Sequence, residues 1–133
     1  MRCALLGIAL AAVAAGGCKG PEGPVAGELS VRLTTPRNTD RAILFAVVGK
    51  QHGVTAATGS NYRVFSAVSA AGDTTHITVV ALAGGGLAAG EVARLAVDDI
   101  RQVDKYSTTL IDVAGADYRI GGLTGLSLTV VKP

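Results

Sequence analysis

Glu28-Leu29-Ser30-Val31-Arg32-Leu33-Thr34 alternates strictly, with Leu29, Val31 and Leu33 at every second position. Successive side chains of a strand point to opposite faces, so this spacing predicts a strand with one buried face. The next run, Ala42-Ile43-Leu44-Phe45-Ala46-Val47-Val48, is continuously apolar and reads as a central strand. Further runs of the same kind cover residues 62–68, 75–82, 91–97, 108–113 and 127–131, with shorter extended pieces at 54–57 and 118–120. Turn-forming residues separate them: Arg37-Asn38-Thr39-Asp40, residues 49–53, Gly59-Ser60-Asn61, Gly72-Asp73, Gly84-Gly85-Gly86 and Gly121-Gly122. Short strands at this spacing predict an all-β, antiparallel β-sandwich over residues 28–133. The inward set is Leu29, Val31, Leu33, Ile43, Phe45, Val47, Ile77, Val79, Leu95, Val97, Ile111, Leu128 and Val130. A helix has one opening, at residues 87–95, where Gly90 opposes it.

Composition agrees with a folded domain. The chain has 133 residues, 49% of them hydrophobic and 17% charged, with a net charge of +2. A disordered chain would be less apolar and more charged. The basic residues are scattered, which gives no nucleic-acid footprint. The mean hydropathy of +0.44 is high, yet no apolar run reaches the ~18 residues that span a bilayer.

The N-terminus accounts for part of that hydropathy. Arg2 is followed by apolar residues 4–15, then Gly16, Gly17 and Cys18. This is the layout of a secretory signal, shorter than a transmembrane helix. The junction Ala15-Gly16-Gly17-Cys18 resembles the lipobox of bacterial lipoproteins, with Ala15 where Leu is usual. The resemblance implies cleavage before Cys18 and acylation of it. Cysteine arithmetic agrees: Cys3 lies inside the signal, so the mature chain would hold one cysteine and no internal disulfide. Residues 1–17 are therefore expected to be signal peptide. Residues 18–27, rich in Gly and Pro after the lipidated Cys18, are expected to be a tether. Lys19, rather than Asp, follows Cys18. By the same resemblance this favours the outer membrane, at its periplasmic face or the cell surface.

The segments Gly27-Glu28-Leu29-Ser30-Val31-Arg32-Leu33, Ala42–Val48, 75–82 and Gly90–Val97 resemble, in order and pattern, the cohesin-like and carbohydrate-binding-module-like β-sandwiches. That resemblance implies a nine-stranded jelly roll and non-catalytic binding of protein or glycan.

Residues fit for chemistry are sparse. His52 lies in a turn and His76 on a strand, and no Gly-x-Ser-x-Gly occurs, so no enzyme is expected, a small hydrolase being the remote alternative. There is no zinc-type ligand spacing. Asp98, Asp99 and Asp104 are the one carboxylate cluster, but Arg101 and Lys105 interrupt them, and a solvated, ion-paired loop is expected instead of a calcium site. The glycine run at 84–86 lacks the Lys-Ser/Thr of a phosphate loop. No cofactor or metal is expected. Sugar platforms are aromatic, and the chain has no Trp; Tyr62, Tyr106 and Tyr118 are the candidate ligand contacts. Val80 and Leu82 fall out of phase with Ile77 and Val79, and Val92 opposes Leu95. An outward apolar face follows, and with it a protein partner or homotypic contact. The chain is thus expected to be a lipid-anchored, non-catalytic interaction or structural module, with carbohydrate binding as the alternative.

Overall fold

In the computed structural model, residues 23–133 are described. Two antiparallel sheets of four strands each pack face to face, as an all-β sandwich requires. Strand β1 is Gly27–Thr34, β2 Ala42–Val48, β3 Gly53–Ala56, β4 Tyr62–Val68, β5 Thr74–Ala81, β6 Gly90–Val97, β7 Ser107–Ala114 and β8 Ser127–Val131. The first sheet has the order β3-β6-β1-β8 and the second β4-β5-β2-β7.

Alternation sets the core. Leu29, Val31, Leu33, Ile43, Phe45, Val47, Ile77, Val79, Leu95, Val97 and Leu128 are all buried, as their phase predicts. Phe45 is fully buried at the centre of the middle strand. Each such side chain contributes about 1.5–3 kcal/mol of transfer free energy. Leu87, in the loop before β6, plugs one end of the core, and its N–H donates to the Asp40 carbonyl at 2.7 Å.

The structure sets the strand count at eight and corrects the local readings at residues 100–105 and at Val92, Ile111 and Val130. There are eight strands among the described residues, not nine, because residues 118–120 form only an isolated bridge from Ile120 to Ala114. As Gly90 argues, no helix forms at residues 87–95; β6 begins at Gly90. A 3-10 helix stands instead at Ile100–Lys105, within the segment expected to be a loop.

Two β-bulges shift the inward phase. On β1 and β6 the register slips between Val31↔Ala93 and Arg32↔Glu91, which leaves Val92 unpaired and fully buried beside Ala93. On β2 and β7 it slips between Leu44↔Asp112 and Phe45↔Leu110. Ile111 is the extra residue and is only half-buried, while Leu110 packs on the core in its place. An inserted residue reverses the face of everything beyond it, which a strictly alternating pattern cannot anticipate. Val130 is also half-buried, against the core edge.

The segment before β1 is docked on the 3-10 helix. The Ile100 N–H donates to the Val25 carbonyl at 2.9 Å. The Val25 N–H donates to Asp99 Oδ1 at 3.3 Å, and Arg101 donates to the Gly23 carbonyl at 2.7 Å.

Candidate interaction surface

The two outer faces of the sandwich differ in chemistry. On the β3-β6-β1-β8 sheet, register places Glu28, Ser30, Arg32, Arg94 and Glu91 outward. Four of them, all but Arg32, form a connected network. Arg94 donates to Glu91 Oε1 at 2.7 Å and to Glu28 Oε2 at 3.2 Å, and the Ser30 hydroxyl donates to Glu91 Oε2 at 2.6 Å. Burial pushes the Glu91 carboxyl up, but the hydrogen bonds from Arg94 and Ser30 outweigh it and hold it below its ordinary value. This face has its charges matched and is built to meet water.

The outer face of the β4-β5-β2-β7 sheet has no such network. Its middle row runs Phe65, Thr78, Leu44 and Asp112 across the four strands. The flanking rows add Arg63, Val80, Ala42 and Ala114 on one side, and Ala67, His76, Ala46 and Thr109 on the other. The charged residues among these, Arg63 and Asp112, lie on the two edge strands. Phe65 is 56% exposed. Beside β7 the turn at residues 115–121 folds back, with the Gly115 N–H donating to the Arg119 carbonyl at 2.9 Å and the Gly121 N–H to the Val113 carbonyl at 2.9 Å. That turn sets Ile120, 70% exposed, over a shallow hollow of about 200 Å³ lined by Ala42, Leu44, Thr78, Asp112 and Ala114.

The candidate tyrosines are not brought together. Tyr62 opens β4 beside Ala81, packs on the core and accepts a hydrogen bond from the Ala88 N–H at 3.1 Å. Tyr118 lies near the same end of the sheet, but beyond β7 at the opposite edge. Strands β4 and β7 are three positions apart, so roughly 14 Å of sheet separates them at the usual strand spacing. Tyr106 stands at the other end, after the 3-10 helix. Its ring lies over Gly49, and its hydroxyl donates to the Lys50 carbonyl. Burial raises its pKa, with the charges of Asp98 and Asp99 adding to that effect. No common aromatic platform results.

The carboxylate cluster is divided in the same way. Asp99 caps the 3-10 helix and binds Arg101 and Val25, while Asp98 Oδ1 lies 2.5 Å from His52 Nε2. No group of three metal-ligating side chains converges among the described residues. The His52–Asp98 pair is exposed, and no serine hydroxyl is among its hydrogen-bond partners. His76 pairs across to Ala46 on the outer face. Cys18 lies outside the described residues. One tertiary clip escapes a reading of the pattern: Asp40, buried, binds Arg37 Nε at 2.7 Å, and Arg37 reaches on to the Gly122 carbonyl at 2.8 Å. Phe65 as a surface residue was legible, since it shares the phase of Arg63. Comparison of the chain with protein-family models, with curated proteins and with solved structures finds no match.

Proposed function

We propose that this chain is a lipid-anchored, non-catalytic β-sandwich of the bacterial cell envelope. In this reading it binds a protein partner through the outer face of the β4-β5-β2-β7 sheet. The carrying observation is the asymmetry of the two outer faces. One spends its charges in a matched network; the other offers Phe65, Leu44, Val80 and Ile120 between two edge charges. An apolar centre with a polar rim is the anatomy of a protein contact. Among the described residues no nucleophile is bonded to the His52–Asp98 pair, which favours binding over turnover. The scatter of the tyrosines favours protein over glycan.

The anchor rests on the lipobox-like Ala15-Gly16-Gly17-Cys18, and the outer membrane on Lys19. Several acyl chains on Cys18 would hold the domain firmly, at about 0.8 kcal/mol per buried CH₂. Since Gly23 is held by Arg101, the free span from Cys18 is at most about 17 Å of extended chain. The domain would thus ride close to the bilayer. The cohesin-like ancestry belongs to this proposal too, and it rests on element order alone.

Intact-mass analysis of membrane-extracted protein tests the anchor; a mature chain beginning at Ala15 without lipid mass refutes it. Crosslinking in the native membrane, beside glycan-array screening, tests the surface. A protein adduct that is lost in Phe65→Ser or Leu44→Ser is the expected result. No adduct, with a specific glycan hit lost on changing Tyr62, Tyr106 or Tyr118 to Ala, replaces it with carbohydrate binding.

A further inference from the structure

Each sheet has two edge strands, and three of the four are protected. Strand β3 has four residues. Strand β8 has five and runs into Lys132 and Pro133. Strand β7 is bulged at Ile111, and its far end is covered by the Ile120 bridge and the Gly121–Val113 hydrogen bond. Bulges, short edges, Lys, Pro and covering loops are the usual means of blocking edge-to-edge pairing.

Strand β4 has none of these beyond one charge, Arg63. It runs seven residues, Tyr62–Val68, in unbroken register with β5. Its backbone phase is fixed by its two ends. The Asn61 carbonyl accepts from the Leu82 N–H, and the Ser69 N–H donates to the Thr74 carbonyl. Odd-numbered residues therefore turn their backbone groups toward β5. Tyr62, Val64, Ser66 and Val68 turn theirs away from it, and none of the described hydrogen bonds takes them up.

We infer that β4 pairs antiparallel with β4 of a second copy, joining two four-stranded sheets into one of eight. The register follows from the phase and from pairing over the strand's whole length. Outward-turned residues must face one another, and full overlap of Tyr62–Val68 with its copy then places the two-fold axis between the two Phe65 residues. Tyr62 faces Val68 of the second copy, and Val64 faces Ser66. Arg63 faces Ala67, so the strand's one charge is opposed by a methyl group and not by its own copy. Like charges directly opposite would destabilise such a ladder, and this register avoids them. The two Phe65 rings meet at the non-hydrogen-bonded position, where side chains come closest. The apolar outer faces become one continuous surface. This inference concerns the sheet edge and does not rest on the lipid anchor.

An edge pairing of this length buries less than a standard interface of about 1,600 Å², so a micromolar dimer is expected. Sedimentation of the full-length chain in detergent measures it. Ser66→Pro removes an N–H that points away from β5, so it should weaken dimerisation at least about tenfold with little change in melting temperature. Ala67→Pro removes an N–H that points into the β4–β5 ladder and should lower the melting temperature instead. Under an added oxidant, Phe65→Cys should crosslink to itself beyond the level of the parent chain. Arg63→Cys should crosslink only when mixed with Ala67→Cys. If Ser66→Pro fails to fold, this crosslinking pattern decides alone. A monomer at every concentration, or a dimer that survives Ser66→Pro, overturns the inference. So does a monomer that accepts a synthetic extended peptide at this edge, which would give the edge to a foreign strand. A surviving dimer broken by Leu44→Ser would place the contact on the sheet face, as the proposed function has it.

Discussion

Gly49 shows how one residue joins sequence to packing. It ends β2 with φ +131, a conformation that side chains other than hydrogen rarely adopt, and the Tyr106 ring lies directly over it. Gly49→Ala should therefore cost twice, in backbone strain of about 1–3 kcal/mol and in displacement of the ring. Urea unfolding should show the loss, and Tyr106→Ala in the same chain should relieve the steric part. Asp99 makes the residue-scale electrostatic case. Hydrogen bonds from the Arg101 side chain, and from the Arg101 and Val25 N–H groups, hold its carboxyl at about 2 against the opposing effect of burial. In the unfolded chain such a group titrates near about 3.9. Between these values the folded state binds fewer protons, so the stabilisation is present above pH ~4 and is lost as pH falls toward 2. Melting temperature against pH should decline through that window, and Asp99→Asn should flatten that part of the curve.

At the scale of the element, the bulges separate pattern from structure. Strict alternation sets Val92 opposite to Leu95 and makes it a surface residue. The slipped register between β1 and β6 buries it completely. Val92→Lys distinguishes the two descriptions. On the surface it would change stability by under about 0.5 kcal/mol. In the core it strands a charge, at a cost of several kcal/mol. Circular dichroism of the variant should show loss of the folded baseline at room temperature. The same element-scale argument explains Ile111, where the β2–β7 bulge gives the inward position to Leu110. Neither bulge carries a glycine or proline to announce it. Both depend on what the neighbouring strand presents.

The described residues are held by their apolar core and by loop clips, with no cysteine among them. The chain's two cysteines, Cys3 and Cys18, both precede the described residues. The sandwich should therefore melt at the same temperature with and without a thiol reductant, and a downward shift with reductant would show that covalent links contribute. The clips are hydrogen bonds between a charged side chain and backbone. Arg37 ties the β1–β2 loop to Gly122, and Arg101 with Asp99 ties Gly23 and Val25 to the 3-10 helix. Contacts of this kind span separations of 74 to 85 residues. They fix residues 23–25 against the 3-10 helix and the β1–β2 loop against Gly122.

What depends on near neighbours could be read from the order of the residues. Period-two alternation placed seven strands and eleven of thirteen core side chains, because a pleated strand assigns faces residue by residue. Turn residues placed the breaks between them. Tertiary structure alone decided what depends on distant partners. Which strand lies beside which fixed the two bulges, and so reversed Val92 and Ile111. Strand order sent Tyr62, Tyr106 and Tyr118 to separate corners, although as a list they read as one candidate site. It also divided Asp98 from Asp99, neighbours in sequence, between His52 on one side and Arg101 with Val25 on the other. The physical reason is the same each time. Side-chain phase is a local property of the backbone, whereas register and edge exposure are set by pairings between segments far apart in the chain.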